Sequence, residues 1–234
     1  MTIAVGVLYP GGVMLGSDSF NQIGHEHEGR SSVATKVYSL AGRKLAICLA
    51  GHPALDVYYI KTETSIPVLD LSGMIVSKFM QSQRYSLQDV QDCMGIFSEV
   101  ANFLGHTRVR PDHHTEVLVG WGHPQEFGLH VFSMTAPLWR IAHQHRSPCY
   151  GAGIYRFYEA VVQGNLQMLR AEDASHVTAL LSKGKLPPGL RAAPCVSNAE
   201  AQQWITDVVE WCCLAFPQWA KGPVQICDTD TDRI

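Results

Sequence analysis

The chain has 234 residues, 46% of them hydrophobic and 17% charged, with a formal net charge of -3 at pH 7. That is enough apolar material for one substantial core, and no linker-like stretch divides it, so residues 1–234 read as a single domain. The absence of a basic run argues against nucleic acid or an anionic membrane as partner, no segment reaches the about 18 apolar residues of a membrane span, and the first basic residue is Arg30, so no signal-peptide head is expected and a cytoplasmic location is.

Residues 3–9 are apolar, rich in Val, and read as a strand buried on both faces. Pro10-Gly11-Gly12 is a turn, and residues 13–17 return as a second strand that delivers Asp18 beside the start of the first. Met1 is easily removed before a residue as small as Thr. Thr2 would then carry a hydroxyl and a free α-amine, and an amine with a reference pKa of about 7.7–8.0 can take the hydroxyl proton near neutrality.

After a polar, Gly-containing loop at 19–33, residues 34–40 read as a third strand with Lys36 as a lone ammonium. A hairpin through 41–43 leads to a fourth strand, 44–50, ending at Gly51, which could expose a backbone N–H at a strand-to-helix junction. Residues 53–65 are expected to form a first helix opened by Pro53, and a second is expected over about 70–83. Ser86-Leu87-Gln88-Asp89 resembles a capping box, opening a helix whose apolar stripe includes Cys93, Phe97, Val100 and Leu104.

Strands return at 115–122, 127–133 and 138–145, joined by tight connections that imply antiparallel pairing. A helix is expected at about 154–162 and another at 172–182, followed by a loop without regular structure from Lys183 to Pro194. Ser197-Asn198-Ala199-Glu200 caps a final helix, and residues 223–227 fit a last strand. The order of strands, helices, strands, helices and strand suits an α+β architecture. Two antiparallel sheets stacked between helical layers, a four-layer αββα sandwich, would bury every apolar run, although other α+β arrangements fit the pattern almost as well.

Seven cysteines, an odd number with no C-x-x-C, read as reduced buried thiols rather than disulfides or a zinc site. The histidines of His25-Glu26-His27-Glu28, Asp112-His113-His114 and His143-Gln144-His145 lack helical i, i+4 spacing and cysteine partners, and read as solvated residues. No metal or cofactor is expected.

Thr2, the hairpin, Ser17-Asp18-Ser19, Thr35-Lys36-Val37 and Leu49-Ala50-Gly51-His52 resemble the N-terminal half of proteasome β-type subunits, which include the bacterial HslV protease and the Anbu proteins. The resemblance implies the αββα fold of N-terminal nucleophile hydrolases. It also implies roles: Thr2 as nucleophile, Asp18 and Lys36 setting its protonation, and the Gly51 N–H binding the oxyanion. Thr2 and Asp18 have the family's sixteen-residue spacing. Lys36 falls slightly later than usual, which the longer loop at 19–33 explains.

By the same resemblance the substrate would be a peptide or unfolded protein, and the chain would assemble into a homo-oligomeric ring or spiral, with an ATP-dependent unfoldase as a candidate partner. Two departures stand out. Gly151-Ala152-Gly153 replaces the family's Gly-Ser-Gly, and residues 216–222 lack the Asp and Ser that support the nucleophile. Ser17, Ser19 and Thr35 are the nearby hydroxyls that could substitute. A second reading stays open, in which the chain is a catalytically silent structural or scaffold subunit, Asp18 caps a loop, Lys36 guards a strand edge and Gly51 permits a turn.

Overall fold

The computed structural model describes residues 2–23, 30–33, 35–40, 45–51, 54–59, 65–70, 75, 77–78, 81, 90–104, 107–108, 114–122, 128–136 and 138–229. In chain order the strands are β1 (Ile3–Tyr9), β2 (Gly12–Ser17), β3 (Phe20–Ile23), β4 (Arg30–Val33), β5 (Val37–Leu40), β6 (Leu45–Gly51), β7 (Ala54–Tyr59), β8 (Ser65–Asp70), β9 (Thr107–Arg108), β10 (His114–Trp121), β11 (Gly128–Thr135), β12 (Arg140–Arg146), β13 (Cys149–Gly153) and β14 (Gln225–Asp228). The helices are α1 (Val90–Leu104), α2 (Tyr155–Val162), α3 (Ala171–Ser182) and α4 (Asn198–Ala215).

Two antiparallel sheets carry the fold, one ordered β13-β1-β2-β14 and the other β12-β11-β10-β6-β5. Strand alternation sorts their side chains into three apolar layers. On β1, Ile3, Val5, Val7 and Tyr9 face a layer shared with α2, α3 and α4, while Ala4 and Leu8 face the second sheet. On β6, Leu45, Ile47 and Leu49 pack with Phe97 and Val100 of α1, and Ala46, Cys48 and Ala50 point into the gap between the sheets. The result is the expected four-layer αββα sandwich.

Small residues at the sheet-to-sheet layer let the strands approach closely. The helical layer has an equally close contact at Gly16, where an added Cβ would sit 2.2 Å from the Ile205 side chain of α4. Helix α4 starts where its capping sequence requires, with Ser197 Oγ accepting the Glu200 N–H at 3.2 Å.

Three sequence expectations need correction. The helix expected at 53–65 is replaced by the antiparallel pair β7 and β8. Val57, Tyr58, Tyr59, Ile66 and Val68 favour extended backbone, and Pro67 is tolerated because β8 is the outer strand of the order β8-β7-β9; residues 53 and 60–64 lie outside the described residues. Of the helix expected over 70–83, Ile75 and residues 77–78 are helical, whereas Asp70 ends β8 and much of the remainder is outside the described residues. The stretch 19–33 is no plain loop, because β3 and β4 pair within it. Among the described residues no helix is long and apolar enough to cross a membrane.

Candidate active site

The hairpin of β1 and β2 positions the first two groups. Ala4 pairs with Ser17, which sets Asp18 beside the start of β1, and the Ile3 N–H donates to Asp18 Oδ1 at 3.1 Å. Ser17 Oγ ties the same place by donating to the Ile3 carbonyl at 2.7 Å. On the other side, the Phe20 N–H donates to Asp18 Oδ2 at 3.0 Å and the Lys221 N–H reaches the same oxygen at 3.4 Å. A carboxylate that accepts backbone N–H groups in this way is fixed in orientation before any charged partner arrives.

Lys36 comes from the opposite sheet, one residue ahead of β5 rather than within it. Its backbone is clamped at both ends: its N–H donates to Gln225 Oε1 at 2.8 Å, and its carbonyl accepts the Leu49 N–H at 3.1 Å. From there Nζ donates to both oxygens of Asp18 at 3.1 Å, to Thr2 Oγ1 at 2.6 Å and to the Phe20 carbonyl. Thr2, Asp18 and Lys36 are 5%, 0% and 6% exposed, so the trio is removed from bulk water.

Burial is the largest influence on Lys36 and pulls its pKa below the usual lysine range, while the charge of Asp18 and the hydrogen bond to it act against that fall. An ammonium held between one carboxylate and one hydroxyl favours negative charge developing on that hydroxyl oxygen.

The carbonyl of Thr2 is held by the far edge of its own sheet, where it accepts the Ile154 N–H at 3.0 Å. Gly153 makes that approach possible. Its φ is +66°, and a Cβ there would lie 2.0 Å from the Thr2 oxygen and 3.8 Å from the Ala50 side chain. Gly51 ends β6 opposite Thr115, one residue beyond Ala50, so this strand end lies close to the Thr2 carbonyl. Thr2 itself follows Met1, so its nitrogen is an amide until Met1 is removed.

The two departures from the family pattern have structural counterparts. Ala152 is fully buried in the layer between the sheets and supplies no hydroxyl. The segment 216–222 reaches the site through the Lys221 backbone, which no side-chain pattern could have revealed. Among the three hydroxyls considered as substitutes, Ser17 is bound to Ile3 and Thr35 is exposed. Ser19 Oγ is buried with no hydrogen-bond partner among the described residues, and it packs against Gly222, where a Cβ would come within 2.3 Å. It is the hydroxyl available on the 216–222 side of the trio.

The other candidates separate from this place. His143 and His145 share a strand face as alternation requires, and sequence reading missed His130, which stacks on His143 with ring centroids 5.3 Å apart. Among the described residues no group of His, Cys, Asp and Glu converges in a geometry that could hold a metal ion. His25–Glu28 and Asp112-His113 lie outside the described residues. All seven cysteines are free thiols, and burial pushes Cys213 and Cys227 up to about 12, which makes them poor nucleophiles.

No protein-family model matches the chain, and no curated protein matches it in sequence. Solved structures do match in fold. Anbu from Yersinia bercovieri is 14% identical with a TM-score of 0.57, over 97% of this chain and 80% of that one. Anbu from Hyphomicrobium sp. strain MC1 is 11% identical with a TM-score of 0.56, over 97% and 81%. The Anbu complex from Pseudomonas aeruginosa is 14% identical with a TM-score of 0.51, over 97% and 80%. The αββα sandwich is therefore a fold shared with these Anbu structures.

Proposed function

We propose that the chain is an N-terminal threonine amidohydrolase of proteasome-like type, with Thr2 as nucleophile once Met1 is removed. The observation that carries this reading is the 2.6 Å contact from Lys36 Nζ to Thr2 Oγ1, with Asp18 bound to the same ammonium. A buried ammonium aimed at a hydroxyl at the start of a strand has little structural purpose there, since burial alone disfavours it.

In the reaction the Thr2 hydroxyl proton passes to the freed α-amine while Oγ1 attacks a peptide carbonyl. Lys36 holds the amine neutral by like-charge repulsion and favours the alkoxide; Asp18 orients Lys36. The Gly51 N–H stabilises the tetrahedral oxyanion, a type of contact worth about 10² to 10³ in rate. The protonated amine then gives its proton to the leaving nitrogen, an ester forms on Thr2, and water hydrolyses it with the amine again as base.

The substrate class is a peptide or unfolded protein. The helical assembly named for the Pseudomonas aeruginosa Anbu complex supports a homo-oligomer, in which access to an enclosed space would restrict cleavage. An ATP-dependent unfoldase is a candidate partner for such an assembly, and a cytoplasmic location suits it.

One observation favours the second reading, a silent structural subunit of the same fold: Ala152 leaves the nucleophile's amine without the hydroxyl that the family pattern supplies. Intact mass of the purified chain, paired with hydrolysis of a fluorogenic peptide, separates the two. Loss of Met1 with turnover supports the hydrolase, and retention of Met1 in inactive protein supports the scaffold.

A further inference from the structure

A second polar cavity, of about 170 Å3, opens between the two sheets at their β12 side. Seven polar residues line it: His114 and Glu116 from β10, Ser133 from β11, Gln144 and Arg146 from β12, Tyr150 from β13 and Arg156 from the first turn of α2. The cavity adjoins the Thr2 end of the sandwich, since Glu116 pairs with Ala50 of β6 and Arg156 sits two residues after the Ile154 N–H that binds the Thr2 carbonyl.

Two guanidinium groups and one carboxylate line the cavity. Glu116 is 6% exposed, and its Oε1 accepts from Arg156 at 2.8 Å and from the Tyr150 hydroxyl at 3.2 Å, so its carboxylate is already engaged. Among the described residues Arg146 makes no ion pair, although its charge, with that of Arg156, acts on the Glu159 carboxyl of α2 and opposes the rise that burial causes there. The Arg146 guanidinium lies over the Tyr150 ring at 4.7 Å and touches the Gln144 side-chain oxygen, while its Nε is buried with no hydrogen-bond partner among the described residues. His114 Nδ1 is bound to Thr135 Oγ1 at 2.8 Å, while its Nε2 is buried with no hydrogen-bond partner among the described residues, 3.7 Å from Glu116 and beyond hydrogen-bond reach. The Arg146 Nε–H is therefore a buried donor without an acceptor among the described residues, in a cavity lined by two guanidinium groups and one carboxylate, and a buried donor left unsatisfied is costly.

We propose that this cavity binds a carboxylate of a peptide, with Arg146 as its principal partner. The guanidinium fork matches a carboxylate, and the Tyr150 ring beneath it fixes the plane of the fork. The volume is well below the about 300 Å3 at which drug-sized sites begin, and suits one residue rather than a long segment. The carboxylate belongs either to an acidic side chain or to a chain terminus. The assignment rests on the proposed hydrolase only in taking that ligand to be a peptide.

The test is calorimetric titration at low salt of the full chain carrying Thr2→Ala, which prevents turnover. The probes are N-acetylglutamate α-amide, with a side-chain carboxylate, N-acetylalanine, with a terminal one, and N-acetylglutamine α-amide, with neither. Saturable binding of at least one carboxylate probe, with none for the glutamine probe, is expected; whichever carboxylate binds identifies the source. Arg146→Gln should weaken binding about tenfold or more. Glu116→Gln removes the cavity's negative charge and should tighten it, which keeps the test decisive if Arg146→Gln does not fold. Equal binding of the glutamine probe, no binding of any probe, or indifference of the affinity to both variants would overturn the proposal. Covalent labelling of Thr2 in the unaltered chain is independent of all these readings, so failure of the hydrolase and failure of the cavity are told apart.

Discussion

Lys36 Nζ lies 2.6 Å from Thr2 Oγ1 and 3.1 Å from each oxygen of Asp18, although the three residues come from two different sheets. The ammonium is the bridge across the open end of the sandwich. Its position depends on the Gln225 side chain and the Leu49 N–H, which hold the backbone of residue 36 at the end of the second sheet.

Replacing Asp18 by Asn should harm both stability and turnover. One of the two carboxylate oxygens becomes an N–H donor facing other donors, and Lys36 is left as a buried charge without its counter-ion. Breaking a buried pair in this way costs about 3–5 kcal/mol. Denaturant unfolding should show the loss, and peptide hydrolysis per folded molecule should fall as well. An unchanged midpoint would mean that the pair is far better solvated than its burial indicates.

The pH profile follows from the sign of the Lys36 shift. Burial lowers its pKa below the ordinary lysine value of 10.5, so in the folded chain the ammonium is lost earlier on the alkaline side than in the unfolded chain. The unfolded state binds more protons in that window, and stability attributable to Lys36 rises as pH climbs from the folded value toward 10.5. Activity should move the other way, with kcat/KM declining through the same window as the positive charge beside Thr2 disappears. Lys36→Arg keeps its charge throughout, so any activity it retains should lack this alkaline limb.

Gly153→Ala tests how tightly Thr2 must be placed. The new Cβ would lie 2.0 Å from the Thr2 carbonyl oxygen in a residue with φ of +66°, so the start of β1 must shift. Left-handed strain in a non-glycine residue costs of order 1–3 kcal/mol, and a displacement of the nucleophile by about 1 Å can cost about 10² in rate. The expected signature is a modest fall in thermal midpoint with a disproportionate fall in kcat.

Ser19→Ala separates a supporting hydroxyl from a space-filling one. Ser19 Oγ is buried without a partner among the described residues, so removing it should leave stability nearly unchanged or slightly improved. If the hydroxyl supports the site from the 216–222 side, kcat should fall while KM stays. No change in kcat would assign Ser19 a packing role against Gly222.

The sequence was most legible where chemistry and strand period coincide. Residues 3–18 disclosed a buried strand, a turn and a returning strand, and the register that follows is what brings Asp18 to Thr2. The capping residues at Ser197 and Glu200 marked α4 correctly, because a side chain bonded to a helix terminus is written locally. Residues 53–65 misled because Leu55, Tyr58, Tyr59 and Thr62 fall near helical spacing, although their β-branched and aromatic neighbours favour a strand once a partner is present. The pairing of β3 with β4 and the help that Asp18 receives from the Lys221 N–H depend on contacts between distant stretches and on backbone atoms. Neither leaves a mark on side-chain type. The cavity around Arg146 was hidden for the same reason, since its seven polar residues span positions 114 to 156.

The most direct measurement is covalent labelling of the processed chain with a peptide-like β-lactone or epoxyketone, followed by mass mapping of the modified residue. A single adduct on Thr2, absent from Thr2→Ala and strongly reduced in Lys36→Ala, is the result expected of a nucleophile activated as described. Protein that has lost Met1, is folded and acquires no adduct at Thr2 would contradict that role and leave the chain as a scaffold of the same fold.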